Sequence, residues 1–373
     1  MSNLRIGIIG LGGMGSGHAS YLDKGQVPGA ELAAICEGDV QRLQGARETY
    51  GGKVQYFQDA DAFFNAGVVD AIVIATPHYQ HPPLAIEAFK RGLHVLTEKP
   101  SGVYPRHVRE MNEAALKSGR VFGIVFQMRL DGAYQKMKDL ISSGELGSLR
   151  RTTCIATDTF RTQAYYDSGS WRATWSGEGG GVLLNQSPHT LDVWQWLAGM
   201  PVRVRAFCSF GKWHNIEVED DVTAYVEYSN GATGVFIAST GESPGSNRVE
   251  ICGDRGRLLY EQEKLTFWRT RVPVSEFCMN SQKGFATPET WRCDVPFQDN
   301  IGQHFQICKG FVHAIKKGVA PIVPGEEGMN SLQLANAMLL STWTNDWVTL
   351  PVNESLYEEK LQDAIRHSTK HKS

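Results

Sequence analysis

Leu4-Arg-Ile-Gly-Ile-Ile9-Gly10-Leu11-Gly12-Gly13-Met14-Gly15 is the stretch that decides the fold. A short apolar run is followed at once by Gly-x-Gly-x-x-Gly, and helix-compatible sequence continues to about Lys24. In a chain with 39 glycines such a trio is weak evidence alone. Its position between a strand and a helix gives it meaning. Gly10 permits a tight turn, Gly12 lets backbone approach a pyrophosphate, and Gly15 lets the helix pack closely on the strand. Gly13 and Met14 complete the turn, and the helix N-terminus offers N–H groups and partial positive charge to phosphates.

Outward from this motif the chain alternates. Apolar runs at Glu31–Cys36, Asp70–Ala75, His94–Thr97 and Val121–Phe126 read as strands, separated by helical stretches to Tyr50, at Pro82–Arg91 and at Arg106–Ser118. Such alternation implies βαβ units and a parallel sheet covered on both faces. The rhythm changes after Gln127. Met128–Ser143 reads as a helix, followed by candidate strands Leu149–Thr159, Val202–Phe210, Asp221–Tyr228, Thr233–Ser239, Arg248–Cys252, Gly256–Tyr260 and Leu265–Arg271. Turn signals such as Ser229-Asn230-Gly231 separate several of them, so an open, mainly antiparallel sheet is expected. Residues 272–300 read as irregular, with two helices after them, about 301–318 and 327–347. The expected fold class is α/β. A doubly wound parallel sheet occupies residues 1–126, and an α/β domain with the large open sheet occupies 127–373, its C-terminal helices able to pack back on the first domain.

The 373-residue length fits two domains and is long enough to bury a core without staples. Lys plus Arg number 37 and Asp plus Glu 40, a net charge of −3, which provides no field for a nucleic-acid backbone. The seven cysteines are odd in number and show no Cys-x-x-Cys spacing, so free thiols in a reducing cytoplasm are expected. No signal peptide and no membrane span are expected.

Several positions carry chemistry. Glu37 ends the second strand, 22 residues after Gly15, where a carboxylate accepts from a ribose diol and repels a 2′-phosphate. That favours NAD over NADP, although Arg42, one turn into the next helix, is suited to a 2′-phosphate. Glu98-Lys99-Pro100 lies at the carboxyl end of a parallel strand, where open α/β sheets bind ligands. Lysine there can stabilise a developing alkoxide, although an exposed loop lysine is the commoner case. Gly179-Gly180-Gly181 leads to Asn185, His189 and Asp192. If this run is helical, Asn185 and His189 share a face and Asp192 lies where it can orient the imidazole. Histidine suits proton transfer near neutral pH, against the ordinary alternative of a core histidine. His78 and His81 have metal-ligand spacing without acidic or thiol partners, so no metal is expected.

Together these residues resemble the Gfo/Idh/MocA family (glucose–fructose oxidoreductase, inositol dehydrogenase, MocA) over essentially the whole chain. The resemblance rests on Ile6–Gly15, Glu37, the turn Ala75-Thr76-Pro77 with His81, Glu98-Lys99-Pro100, and Gly179–Gly181 with Asn185 and His189. It implies a Rossmann domain, bound NAD or NADP, hydride transfer at a sugar or polyol hydroxyl carbon, and oligomerisation through the open sheet, as a homodimer or homotetramer. It also implies that Lys99 and His189 form the catalytic pair, and that Thr76, Pro77, His81 and Glu98 border the cofactor. Family members commonly carry aspartate where this chain has Asn185, and asparagine does not exchange a proton at neutral pH. Arg129, Asp158, Tyr165, Trp171 and Arg172 are the candidates for substrate hydroxyls. Two other readings stay open on sequence alone: a redox-neutral, NAD-dependent glycosidase working through a transient keto sugar, and a non-catalytic NAD-binding protein.

Overall fold

The structure is a computed structural model that describes residues 2–298 and 304–368. It divides into two compact units, Met1–Gln127 with Gly302–Leu332, and Met128–Ile301 with Gln333–Ser373.

The first unit is built on six parallel strands: β1 (Leu4–Ile9), β2 (Ala30–Cys36), β3 (Gln55–Phe57), β4 (Ala71–Ile74), β5 (His94–Thr97) and β6 (Phe122–Ile124). Their order is β3-β2-β1-β4-β5-β6, the doubly wound arrangement. β4 is buried at every position, as a strand covered on both faces must be. Local chemistry sets the helix starts. Asp39 caps the helix Val40–Tyr50 by accepting from the N–H groups of Gln41 and Arg42, and Asp59 caps Ala60–Ala66 through Ala62. One cover comes from far along the chain. Helix His304–Lys317 buries Ile307, Cys308, Phe311 and Val312, and the Ile124 N–H donates to Val323 O at 3.2 Å.

The second unit holds nine strands: β7 (Leu149–Ala156), β8 (Arg203–Phe210), β9 (Glu219–Glu227), β10 (Thr233–Ser239), β11 (Asn247–Gly253), β12 (Gly256–Glu261), β13 (Lys264–Thr270), β14 (Thr290–Asp294) and β15 (Val348–Thr349). The order is β14-β13-β12-β11-β7-β10-β9-β8-β15, and only β7 and β10 pair in parallel. One face is covered by helices. Trp194, on the helix Pro188–Ala198, stacks on Phe236 with centroids 5.5 Å apart and donates its indole N–H to Thr152 Oγ1 at 3.1 Å. The other face carries the row Arg205, Tyr225, Val235, Thr153, Glu250, Leu259 and Thr266, in register across seven of the strands. On this face Arg151 and Arg248 each pair with Glu250 at 2.7 Å, and Phe207 is 62% exposed.

Several sequence expectations need correction. Residues 272–300 contain the helix Val274–Asn280 and strand β14. The helix expected from Met128 starts at Gly132, because Asp131 is extended and caps it; a 3₁₀ turn, Gln127–Leu130, precedes it. β6 and β7 are shorter than the apolar runs suggest. The helix Glu354–Arg366 escaped notice because it is strongly charged, with Tyr357 and Leu361 its buried positions. The start of the helix expected at 301, and the tail beyond Ser368, lie outside the described residues.

Trp194→Ala removes both the stacking and the indole hydrogen bond from the covered face. The expected cost is about 3–5 kcal/mol, read as a lower urea midpoint at unchanged slope.

Candidate active site

In the first unit the glycine turn is built by contact. The Gly10 N–H donates to Cys36 O at 2.8 Å, closing the end of β1 on β2. A Cβ at Gly15 would stand 1.8 Å from Gly10 O, so no side chain fits there, whereas a Cβ at Gly12 or Gly13 would meet nothing within 4 Å. The turn is therefore tight inside and open outside, as a pyrophosphate cradle requires. Met14 is 36% exposed on the first turn of the helix Gly13–Asp23.

Glu37 is fixed at the end of β2. Its Oε2 accepts from the Leu11 N–H at 2.6 Å and its Oε1 from the Asp39 N–H at 2.9 Å. Each oxygen keeps a further acceptor direction, which suits a ribose diol. Arg42 is exposed, its guanidinium 3.9 Å from Asp39, so the nearby cation is drawn to a carboxylate. Past β4, Thr76 Oγ1 is buried and makes no hydrogen bond among the described residues. An orphaned hydroxyl beside the open glycine turn fits a dinucleotide. His81 acts as a brace: its two ring nitrogens lie 2.7 Å from Thr76 O and 2.7 Å from Pro100 O. It ties the turns that follow β4 and β5, with Pro77 between it and Thr76. Burial lowers its pKa against the pull of the two carbonyls.

Glu98 is buried, and its Oε1 meets His18 Nε2 at 2.8 Å. His18 lies on the glycine-turn helix and is itself fully buried, its Nδ1 3.2 Å from Cys308 Sγ. Burial opposes a charge on His18, but the Cys308 sulfur and the Glu98 carboxylate outweigh it and raise its pKa to about 10. Burial likewise pushes Glu98 up, and His18 with Lys99 and His304 overrides it to about 2. The stabilisation from His18 is complete below its unfolded value of about 6.5 and fades as pH climbs to 10. That from Glu98 is complete above about 4.5 and fades as pH falls to 2. The Lys99 N–H donates to Glu98 Oε2 at 3.3 Å, so the lysine backbone is anchored to this pair. Sequence reasoning missed His18; its signal is a polar residue three positions beyond Gly15, on the buried face of the first helix.

In the second unit the Gly179–Gly181 run is held by two carboxylates that sequence reasoning also missed. Glu219 Oε1 accepts from the Gly181 and Leu183 N–H groups at 2.8 and 3.0 Å. A Cβ at Gly181 would lie 2.0 Å from Glu219 O, so glycine is required. Glu219 Oε2 is buried and makes no hydrogen bond among the described residues. Burial raises this carboxyl to about 7 against its two backbone donors, with the charge of Glu178 acting the same way as burial. Glu178 is also buried. Its Oε2 accepts from the Ala173 N–H at 2.6 Å, and its Oε1 accepts from Asn185 Nδ2.

The expected shared helical face is not formed. Asn185 lies in a turn, and the helix begins at Pro188, a residue tolerated only in the first turn. His189 is the second helical residue and half-buried. Asp192, expected to orient it, forms a bidentate pair with Arg129 at 2.7 and 2.6 Å and also accepts from Gln195. Arg129 is 5% exposed, and its pair with Asp192 braces this helix. Tyr165, Trp171 and Arg172 do come together. Arg172 donates to Tyr165 Oη at 2.8 Å and its guanidinium lies 4.6 and 4.7 Å from the two ring centroids. Gln186, next to Asn185, donates to the same phenol oxygen at 3.3 Å. Asp158 is exposed, accepts from Asn247 at 3.1 Å, and lines a polar cavity of about 370 Å³ with Tyr260 and Glu263. Among the described residues no group of three or more His, Cys, Asp or Glu side chains could hold a metal, and no helix is long and apolar enough to cross a membrane.

A doubly wound sheet with an open glycine turn and an acidic second-strand end defines a dinucleotide-binding protein. The chain belongs to the Gfo/Idh/MocA oxidoreductase family: the family's NAD-binding Rossmann fold matches residues 4–126 and its C-terminal domain residues 134–259. Inositol 2-dehydrogenase of Rubrobacter xylanophilus is 35% identical, covering 91% of this chain and 90% of its own. D-glucoside 3-dehydrogenase of Escherichia coli is 27% identical, covering 94% and 98%. Among solved structures, the WlbA dehydrogenase from Bordetella pertussis, in complex with NADH and UDP-GlcNAcA, has a TM-score of 0.80 at 25% identity, covering 94% of this chain and all of that one.

Because the folded pKa of Glu219 exceeds its ordinary value of 4.5, its contribution is complete below that pH and is lost as pH rises through 7. Relative to Glu219→Gln, the native protein is expected to lose on the order of 2–3 kcal/mol between pH 5 and pH 8, measured as urea-unfolding free energies at the two pH values. A difference that stays constant contradicts the raised pKa.

Proposed function

We propose that this NAD-dependent oxidoreductase transfers a hydride between nicotinamide and a hydroxyl carbon of a cyclic polyol, a sugar or a sugar derivative. The observation that carries the reading is the likeness to an inositol 2-dehydrogenase across nine-tenths of both chains, together with the Glu98-Lys99-Pro100 motif and His189 of this sequence. The three relatives described above are all named dehydrogenases, which gives the glycosidase reading no support.

When bound, NAD supplies the hydride acceptor or donor. The glycine turn Gly10–Gly15 holds its pyrophosphate and Glu37 its adenosine ribose. Lys99 donates to the reacting hydroxyl oxygen and lowers the cost of its alkoxide character, and His189 takes or returns the hydroxyl proton. Asn185 positions a hydroxyl without exchanging a proton. Tyr165, Trp171 and Arg172 offer aromatic faces and donors suited to a hydroxylated ring. His81 and Glu98 support the turns around Lys99, through Thr76 O, Pro100 O and the Lys99 N–H.

Two further parts belong to the same reading. The chain works as a homodimer or homotetramer through the open face of its nine-stranded sheet, where Phe207 and Tyr225 are 62% and 39% exposed. All seven cysteines are free, which supports a cytoplasmic setting.

The first test is a panel of myo-inositol, scyllo-inositol, D-glucose and methyl β-D-glucoside with NAD⁺, following NADH absorbance. On the substrate so found, Lys99→Met and His189→Ala are each expected to slow single-turnover hydride transfer by 10²–10⁴-fold, with NAD affinity by tryptophan fluorescence nearly unchanged. Native rates in both variants overturn the mechanism. Light scattering at micromolar concentration is expected to show two or four subunits; a single species near the 41.3 kDa chain mass refutes the assembly.

A further inference from the structure

Asn185 presents a neutral amide, and the structure places a carboxylate directly behind it. Glu178 is 1% exposed, precedes the glycine run by one residue, and accepts from Asn185 Nδ2 through Oε1. Its other oxygen is fixed by the Ala173 N–H at 2.6 Å. An ionised carboxylate only accepts hydrogen bonds, so it dictates which end of the amide faces it. The ambiguity that usually attends an asparagine side chain is removed here: Nδ2 faces Glu178, and Oδ1 is turned the opposite way as an acceptor. The loop that bears the pair is pinned by the second buried carboxyl, Glu219, through Gly181 and Leu183. Glu178 also raises the pKa of both Glu219 and Tyr166. Both of its oxygens accept an N–H, so the carboxyl acts as an acceptor on both sides.

We propose that Glu178 is a positioning residue for the reaction: it orients Asn185 so that Oδ1 accepts from a substrate hydroxyl. This rests on the reading above, in which Asn185 faces substrate. It makes the two positions interdependent. Asn185→Asp alone sets two carboxylates at hydrogen-bond distance, so one must take a proton or the loop must shift. Glu178→Gln alone sets amide against amide and leaves the Asn185 orientation undictated. The double variant, Glu178→Gln with Asn185→Asp, restores one acceptor facing one donor, with the roles exchanged.

The experiment is a double-mutant cycle on the full-length protein with NAD⁺, using the four-member polyol and sugar panel as probes at a fixed pH, and thermal midpoints of the same four proteins. Each single variant is expected to lower kcat/KM by roughly tenfold or more, carried mainly by kcat, and the double variant to regain most of the loss. Midpoints are expected to fall in each single variant and recover in the double. A double variant no faster than the slower single overturns the proposal, even if the midpoints recover, because Glu178 then only stabilises the loop. A native protein that oxidises none of the four probes sinks the substrate reading and the positioning role with it. A native protein that oxidises one while the kinetic cycle stays additive sinks the role of Glu178 alone.

Discussion

The contact of His18 with Glu98, 2.8 Å apart and both shielded from water, joins three parts of the first unit that lie far apart in sequence. His18 belongs to the helix that begins at the glycine turn, Glu98 to the end of β5, and Cys308, on the other side of the imidazole, to a helix near the far end of the chain. Loss of one partner from such a pair leaves an uncompensated buried charge, at a cost of several kcal/mol. The pair therefore fixes the distance between the pyrophosphate end of the first helix and the backbone of Lys99. His81, bridging Thr76 O and Pro100 O, sets the neighbouring turn in the same way. The glutamate of the Glu98-Lys99-Pro100 motif is in this sense a foundation for the backbone of the lysine next to it.

The second unit uses the same device with different parts. Two buried carboxyls hold a loop of small residues by accepting backbone N–H groups, Glu219 from Gly181 and Leu183, and Glu178 from Ala173. A third buried carboxylate, Asp192, is matched by Arg129 beneath the helix that carries His189. Polar groups placed so deep are tolerated only when hydrogen-bonded. In return they impose directions that an apolar core cannot.

What could be read from sequence was what is local. The glycine spacing and the acidic end of β2 each require only neighbours in the chain. The doubly wound order follows from them because parallel strands need crossover helices. What could not be read was what depends on distant partners. Nothing near His18 announces Cys308, 290 residues away, and nothing near Asp192 announces Arg129, 63 residues before it. The helix placed through Asn185 failed for a local reason that was visible: Pro188 fits only a helix start. Short elements such as β3, and the charged helix Glu354–Arg366, fell below the contrast that apolar periodicity provides.

The first unit draws its last wall from Gly302–Leu332, and this bears on the order of synthesis. A ribosome finishes β6 at residue 124 some 180 residues before it makes Cys308 and Phe311. At roughly 5–20 residues per second, that interval lasts about 10–40 seconds. For all that time the nascent sheet lacks the helix His304–Lys317 and the strand-like contact of Val323 with Ile124. His18 likewise waits for one of its two neighbours. The dinucleotide-binding unit is the first to begin and among the last to close, so its emergence exposes an apolar flank for chaperones to shield.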